Sequence, residues 1–343
     1  MAIWSNGRVR NTAVVLVSVF TFLLIAEGMI VAVERLTRRV PVTVKPYPDW
    51  PTTVDPALGW KLRASSVVRV IRSRGERKIY DATYTIDARG QRVTPDSNQE
   101  GETVLFMGDS FMFGDGLPDS QTLPQHFALQ TGRRFNVVNF GVPAYGPHQV
   151  LRQIEDGVID RAIEGKGRVR AAVLYFLDEH LPRAAGDMEE AWFRTAPQYE
   201  RTPGGVRLLG SAAEVRSHRR RIEEIVSEAV DQSMVASLIR QGIRTYPELK
   251  LSEALVMRIR DLVRERYGVD LIVIYWSRDP SGFHEVLTSR MLTGTGVHLL
   301  LGPSITRSAG LSSDDAIIAD DGHPSGRANA ALAAALAKLI APK

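Results

Sequence analysis

The sequence predicts an α/β fold in which helices cover both faces of a parallel sheet. Three observations predict it: short apolar runs recur between residues 104 and 301, segments with helical spacing separate them, and the runs are continuous rather than alternating. Strands that are buried on both faces have this continuous apolar character. At 343 residues, the chain is also long enough to bury a large core without covalent cross-links.

Strands and helices alternate from residue 104 onward. The predicted strands are VLFM at 104–107, NVV at 136–138, AAVLYFL at 171–177, LIVIYW at 271–276 and VHLLL at 297–301. The predicted helices are 121–131, 147–164, 251–267 and 326–340. Between residues 182 and 250 the alternation lapses into a mostly polar insertion, in which we expect one helix at 212–240.

The segment before the alternation has its own organisation. After a tail at 1–12, residues 13–33 form an apolar run whose only charge is Glu27. A membrane-spanning helix needs about 20 such residues, so we predict an uncleaved anchor. A cleaved signal peptide is the alternative, because Arg8 and Arg10 supply a basic start.

Two further segments follow the predicted anchor. Residues 34–57 are proline-rich, and each proline disfavours helix, so we expect a stiff tether. Residues 58–100 are rich in β-branched and aromatic side chains and predict a small β element. The charges beside the apolar run favour a cytoplasmic body, because Arg35, Arg38, Arg39 and Lys45 follow it. This positive-inside rule is only a bias, and a large domain can be exported against it.

Composition excludes several classes of site. The chain has no cysteine, which removes disulfides, thiolate metal sites and cysteine nucleophiles. A net charge of +4 is too mild to indicate a nucleic-acid partner. We expect no cofactor and no metal, since Asp115, Asp119 and His126 lack a recognised ligand spacing.

Chemistry-bearing residues follow the predicted strands, where ligands bind in open parallel sheets. Gly108, Asp109 and Ser110 come directly after the first strand, and a serine there can serve as a nucleophile if a base takes its proton. His323, just before the last helix, is the candidate base, and Asp320 could orient it within one loop. The alternatives are a turn with an N-cap serine and a surface histidine in an Asp-Gly turn.

The loop after the second strand, NFGVPAYG at 139–146, supplies a third component. Gly141 could expose its backbone N–H to the crevice, as an oxyanion hole requires. An ordinary Gly/Pro loop is the alternative.

Together these blocks resemble the SGNH/GDSL hydrolase family over about residues 101–343. The resemblance implies a flavodoxin-like three-layer sandwich with a parallel sheet. It also implies Ser110 as nucleophile, His323 as general base, Asp320 as orienting acid, and the N–H groups of Ser110 and Gly141 as oxyanion donors.

One block departs from that family. After the third strand the family has an asparagine that donates to the oxyanion, but this chain has Asp178-Glu179-His180. His180 could donate in its place and Arg183 could neutralise a carboxylate. The alternative is a solvated strand end.

The anchor, tether, β element and hydrolase-like domain together resemble a subgroup of bacterial envelope proteins. The resemblance implies a domain outside the inner membrane, periplasmic or extracellular, that acts on acyl esters, above all acetyl esters, of carbohydrate or polysaccharide. Hydrolysis and O-acyl transfer share the same acyl-enzyme and remain open. A non-catalytic envelope module that binds carbohydrate or assembly partners is the alternative function.

Overall fold

The computed structural model describes residues 7–36, 42–47, 50–186, 188, 191–215, 234–278 and 283–341. Its strands are β1 (Val42–Tyr47), β2 (Thr52–Asp55), β3 (Gly59–Leu62), β4 (Ser66–Arg74), β5 (Arg77–Ile86), β6 (Thr103–Gly108), β7 (Asn136–Gly141), β8 (Val169–Leu177), β9 (Pro197–Thr202), β10 (Gly205–Ser211), β11 (Leu271–Trp276) and β12 (His298–Leu301). Its helices are α1 (Gly7–Leu36), α2 (Ser110–Phe113), α3 (Leu123–Gln130), α4 (Pro147–Glu155), α5 (Val158–Ile163), α6 (His180–Ala185), α7 (Met234–Tyr267), α8 (Phe283–Gly294), α9 (Gly302–Ser308) and α10 (Gly326–Ile340).

Five parallel strands form the central sheet, in the order β7-β6-β8-β11-β12. Numbered along the chain, this order is 2-1-3-4-5, the flavodoxin-like arrangement. The predicted α/β class with a parallel sheet is confirmed. In such sheets the crevice opens where successive connections leave in opposite directions, here at the carboxyl end of β6.

Both faces of the sheet are buried, which explains the continuous apolar runs. Every residue of β6 and of β11 is buried. Along β6, Leu105 and Met107 join an apolar cluster with α4 and α7, whereas Val104 and Phe106 join a second cluster with α3 and α10. This alternation between two apolar layers gives the three-layer architecture.

Two predicted helices differ from the structure. The helix predicted at 147–164 is broken into α4 and α5, because Gly157 takes a left-handed φ of 66°. The insertion at 182–250 contains the β9–β10 hairpin and the start of α7. Part of the helix predicted at 212–240 lies outside the described residues, and α7 begins at Met234.

The predicted tether at 34–57 is corrected by the structure, because β1 and β2 both lie within it. β1 pairs antiparallel with β4 from Val42↔Arg74 to Tyr47↔Arg69, and β2 pairs with β3. Proline does not prevent this, since β1 is the edge of the β1-β4-β5 sheet and an edge strand tolerates a missing N–H. The small β element therefore begins at residue 42 rather than 58.

A third apolar cluster joins the β1-β4-β5 sheet, which we call the N-terminal sheet, and the β2-β3 pair to the carboxyl edge of the central sheet. It includes Trp60 and Tyr84 from β3 and β5, together with Phe113 from α2 and Tyr145 from the loop after β7. The N-terminal sheet therefore packs against the loops that carry the candidate site.

At the N-terminus, α1 is one helix of 30 residues. Among the residues that the structure describes, no helix is long and apolar enough to cross a membrane. The predicted anchor at 13–33 is not confirmed.

We expect Gly141→Ala to destabilise the fold by about 3 kcal/mol, the upper range for overpacking. A Cβ at Gly141 would lie 2.3 Å from the backbone nitrogen of Phe113 and 2.7 Å from the carbonyl carbon of Met112. Chemical denaturation measures the change. Gly204→Ala is the matched control, because nothing lies within 4 Å of its added Cβ. Equal stability of the two variants would contradict the close approach of α2 to β7.

Candidate active site

Ser110 is the first residue of α2 and follows the turn out of β6. Its N-cap, Asp109, accepts a hydrogen bond from the N–H of Phe111 at 3.0 Å. Ser110 itself is 8% exposed, so its hydroxyl lies at the floor of the crevice rather than on open surface. The strand, the cap and the short helix together fix the position of this side chain.

The loop before α10 brings His323 to Ser110 from 213 residues away. The imidazole Nε2 lies 2.8 Å from the Ser110 Oγ. The ring also lies against Phe111, with 5.1 Å between ring centroids. Backbone bonds hold the loop, since the N–H of Ile318 donates to the carbonyl of His323 at 2.8 Å. The structure thus places two of the predicted site residues in hydrogen-bond contact.

The carboxylate that contacts His323 is Asp321, which corrects the prediction of Asp320. Asp321 Oδ2 lies 2.5 Å from the imidazole Nδ1 and accepts the backbone N–H of His323 at 3.2 Å. Gly322, with a φ of 89°, makes the tight turn that folds this carboxylate back onto the ring. Asp320 instead pairs with Arg74 and Arg77 of the N-terminal sheet. An aspartate only two residues before the histidine can therefore contact its ring, because Gly322 between them has a left-handed backbone conformation.

Asp321 has a second charged partner, Arg72 on β4. Arg72 Nη1 lies 2.8 Å from Asp321 Oδ1, and the Asp321 side chain is fully buried. Burial alone would raise the pKa of Asp321, but the hydrogen bond to His323 and the charges of His323 and Arg72 lower it below its usual value. The carboxylate is therefore ionised at neutral pH.

The same contacts raise the pKa of His323. Burial favours the neutral ring and lowers its pKa, but the hydrogen bond to Asp321 and the negative charges of Asp115, Asp321 and Asp109 outweigh it. With Nδ1 donating to Asp321, Nε2 is left to accept the Ser110 proton; this tautomer is assigned from the partners of the ring. The arrangement is that of a nucleophile, a base and an orienting carboxylate.

Gly141 does not provide a free oxyanion donor. Its N–H donates to the side-chain oxygen of Asn139 at 2.9 Å. In the part of the chain that the structure describes, the N–H groups of Ser110 and Ala144 have no hydrogen-bond acceptor. Ala144 has a left-handed φ of 65°, which costs about 1–3 kcal/mol for a residue with a Cβ. Such strain concentrates at functional sites, which makes the Ala144 N–H a candidate donor that the sequence analysis did not single out.

His180 and Arg183 contact Asp109 rather than the crevice. His180 Nε2 and Arg183 Nη1 lie 3.2 Å and 3.0 Å from Asp109 Oδ2. His180 Nδ1 accepts the N–H of Leu177 and Nε2 faces Asp109, so the geometry does not support the predicted oxyanion role of His180. Burial would raise the pKa of Asp109, but its interactions with His180 and Arg183 and the Phe111 N–H lower it to about 2. Arg183 neutralises a carboxylate of the protein's own nucleophile turn.

Arg92 is a further residue that the sequence did not single out. Its guanidinium is fully buried and donates to the carbonyls of Phe113, the last residue of the nucleophile helix, and of Gly114 and Leu117 beyond it. Its Nε lies 3.1 Å from Asp119. Arg92 thereby helps to fix the segment after α2, together with the Tyr84 hydroxyl, which accepts the N–H of Gly116 at 2.9 Å.

The carboxylates considered for a metal are engaged in protein contacts. Asp115 accepts the Tyr84 hydroxyl at 2.5 Å, and Asp119 pairs with Arg92. Among the described residues, no group of three or more histidine and carboxylate side chains is arranged to hold a metal ion.

Comparison with known proteins adds structural neighbours. No protein-family model matches the sequence, and no curated protein matches it. A lipolytic protein of the G-D-S-L family from Desulfitobacterium hafniense matches at 12% identity and a TM-score of 0.36, covering 71% of this chain and 99% of that one. LAE5, an alpha/beta hydrolase enzyme from the metagenome of Lake Arreo, matches at 13% identity and a TM-score of 0.38, and the match covers 70% of this chain and 95% of LAE5. A catalytic mutant of Axe2, an acetylxylan esterase from Geobacillus stearothermophilus, matches at 14% identity and a TM-score of 0.38, and the match covers 72% of this chain and 97% of Axe2. The function is inferred from this chain's own geometry.

We expect Asp321→Asn to lower kcat by about 10³- to 10⁴-fold, as loss of the orienting carboxylate does in serine triads. The raised pKa of His323 places the acidic limb of kcat/KM in the wild type above about 6.5, the ordinary histidine value. Removing the carboxylate charge should move that limb to lower pH, because the imidazolium loses its stabilising partner. The pH dependence of ester turnover measures both effects. Asp320→Asn is the matched control, and an equal loss in that variant would contradict the assignment of Asp321.

Proposed function

We propose that this chain is a serine ester hydrolase of the SGNH/GDSL type that acts through Ser110, His323 and Asp321. The observation that supports it most is the continuous contact from the Ser110 Oγ to His323 Nε2 and from His323 Nδ1 to a buried, ionised Asp321. The three groups meet at the carboxyl end of β6, where a parallel sheet of this order binds its ligands.

In the proposed reaction, Oγ attacks the carbonyl carbon of the ester while His323 Nε2 takes the hydroxyl proton. Asp321 stabilises the imidazolium, and the N–H groups of Ser110 and Ala144 are the proposed donors to the oxyanion. The imidazolium then protonates the leaving alcohol oxygen as its bond to the acyl carbon breaks, which leaves an acyl group on Ser110.

A second nucleophile removes the acyl group. His323 takes a proton from water or from a sugar hydroxyl, whose oxygen attacks the acyl carbon, and Ser110 leaves with the proton from the imidazolium. Water gives hydrolysis and a sugar hydroxyl gives O-acyl transfer, and the same residues serve both. We propose an acyl ester of a carbohydrate, in particular an acetyl ester, as the substrate, the class that the sequence resemblance implies.

The non-catalytic alternative has one observation in its favour, the absence of the family's third-block asparagine. His180, which stands in that segment, contacts Asp109 instead of the crevice. The pairing of Ser110 with His323 favours catalysis, since an imidazole 2.8 Å from a serine hydroxyl can take its proton, which binding alone does not require. The envelope location, the membrane anchor and assembly partners stay predictions.

Ser110→Ala should abolish covalent labelling by a fluorophosphonate and lower ester turnover by several orders of magnitude, because the triad acts as a unit. Intact mass spectrometry locates one adduct on the wild-type chain and none on the variant. Ser289→Ala, at a half-buried serine on α8, is the matched control and should be labelled normally. Equal labelling of wild type and Ser110→Ala would overturn the proposed function.

A further inference from the structure

A cavity of about 570 Å³ opens between the N-terminal sheet and the loops that carry the candidate site. Its wall contains four aromatic side chains and one carboxylate. The lining side chains that matter are Trp50, Trp60, Trp192, Tyr84, Asp115 and Pro143. None of the sequence motifs points to this cavity, because its walls come from five separated segments.

The cavity borders the nucleophile through Asp115. The N–H of Asp115 donates to the carbonyl of Ser110 at 2.9 Å, so the lining carboxylate lies on the turn that leaves the nucleophile helix. The negative charge of Asp115 also acts on His323. Pro143, which also lines the cavity, belongs to the loop after β7 that contains Ala144. A ligand in the cavity would therefore lie beside the turn that carries the nucleophile.

The aromatic wall is rigid and partly open. Trp60 is buried, and its indole N–H donates to the carbonyl of Pro143 at 3.0 Å. Trp192 packs edge-on against Trp60 at 4.7 Å and stacks on Phe193 at 4.2 Å. Nevertheless Trp192 stays 47% exposed and Trp50 stays 50% exposed. Two indoles are thus held at the cavity with much of their surface uncovered.

This composition fits a sugar ring better than an acyl chain. A pyranose has an apolar C–H face that can lie on an indole and a rim of hydroxyls that need hydrogen-bond partners. An alkyl chain would take water away from the Asp115 carboxylate and add no hydrogen bond in its place, which is costly for a charged group. Asp115 already accepts the Tyr84 hydroxyl, and a carboxylate has capacity for further hydrogen bonds. The volume also lies in the range of small-molecule sites and far exceeds the space that an acetyl group fills.

Resting on the proposed ester chemistry, we infer that this cavity binds the sugar ring that carries the ester. Trp192 provides the stacking surface and Asp115 accepts hydrogen bonds from sugar hydroxyls. The alcohol side of the substrate is thereby bound by Trp192, which lies in the insertion at 182–250, and by Asp115, which follows α2, while loops at the edge of the central sheet carry the catalytic groups.

The test compares ester substrates on the full chain. Trp192→Ala should lower kcat/KM at least about 10-fold for the pentaacetates of glucose, galactose and mannose, whichever the wild type hydrolyses, a factor that corresponds to about 1.4 kcal/mol of lost binding. Turnover of ethyl acetate should stay within about twofold, since this ester places no ring in the cavity. Val67→Ala, an exposed apolar residue on β4, is the matched control and should leave both substrates unchanged. An equal loss on ethyl acetate, or a selective loss on ethyl hexanoate, would overturn the inference, the second result marking an acyl-chain pocket.

A binding measurement separates this inference from the proposed function. In the Ser110→Ala background, the three pentaacetates should change tryptophan fluorescence saturably, and Trp192→Ala should raise the concentration at half-saturation at least about 10-fold, read from Trp50 and Trp60, which also line the cavity. If the wild type hydrolyses no ester, the proposed function fails and the titration alone decides the cavity. No saturable change with any of the three sugars would overturn the cavity's role even if Ser110 is the nucleophile.

Discussion

The buried carboxylate of Asp321 is the contact on which the candidate site depends. It lies between two groups from separate elements, the imidazole of His323 on the loop before α10 and the guanidinium of Arg72 on β4 of the N-terminal sheet. A fully buried carboxylate is tolerated only with such partners, and loss of one leaves an uncompensated charge that typically costs several kcal/mol. The N-terminal sheet is therefore a component of the site and not an appendage in front of it.

The same principle holds the other loops around Ser110. The Asp109 carboxylate of the nucleophile turn has Arg183 and His180 as partners, and both come from α6. Arg92 helps to fix the end of α2 and the segment after it, because its buried guanidinium donates hydrogen bonds to backbone carbonyls there. Each loop is thus held by a charged side chain from a different element. Catalysis by positioned groups requires such support, because small displacements of reacting atoms are expensive.

The sequence predicts those features of the fold and site that neighbouring residues determine, and it misses those that depend on residues distant in the chain. Strands buried on both faces leave a local mark, so LIVIYW at 271–276 matches β11 residue for residue. Ser110 and His323 are found from motifs that sit at strand and helix ends. The choice between Asp320 and Asp321 depends on the left-handed turn at Gly322, which spacing alone does not reveal. Gly141 is the predicted oxyanion donor, but its N–H already donates to the Asn139 side chain, a contact that the sequence does not reveal. Arg72 and Arg92 carry no local signal, since their partners are distant in sequence and only the fold brings them together.

The most direct test of this account is the pH dependence of kcat and kcat/KM in full-length Arg72→Met. Arg72 offsets part of the Asp321 charge that stabilises the imidazolium, so its loss should move the acidic limb to higher pH. Looser positioning of Asp321 should also lower kcat by about 10- to 100-fold. Arg69→Met is the matched control, because Arg69 lies on the same strand and pairs with Asp81 away from the site. A profile that is unchanged in Arg72→Met, with wild-type kcat, would contradict the dependence of the site on the N-terminal sheet.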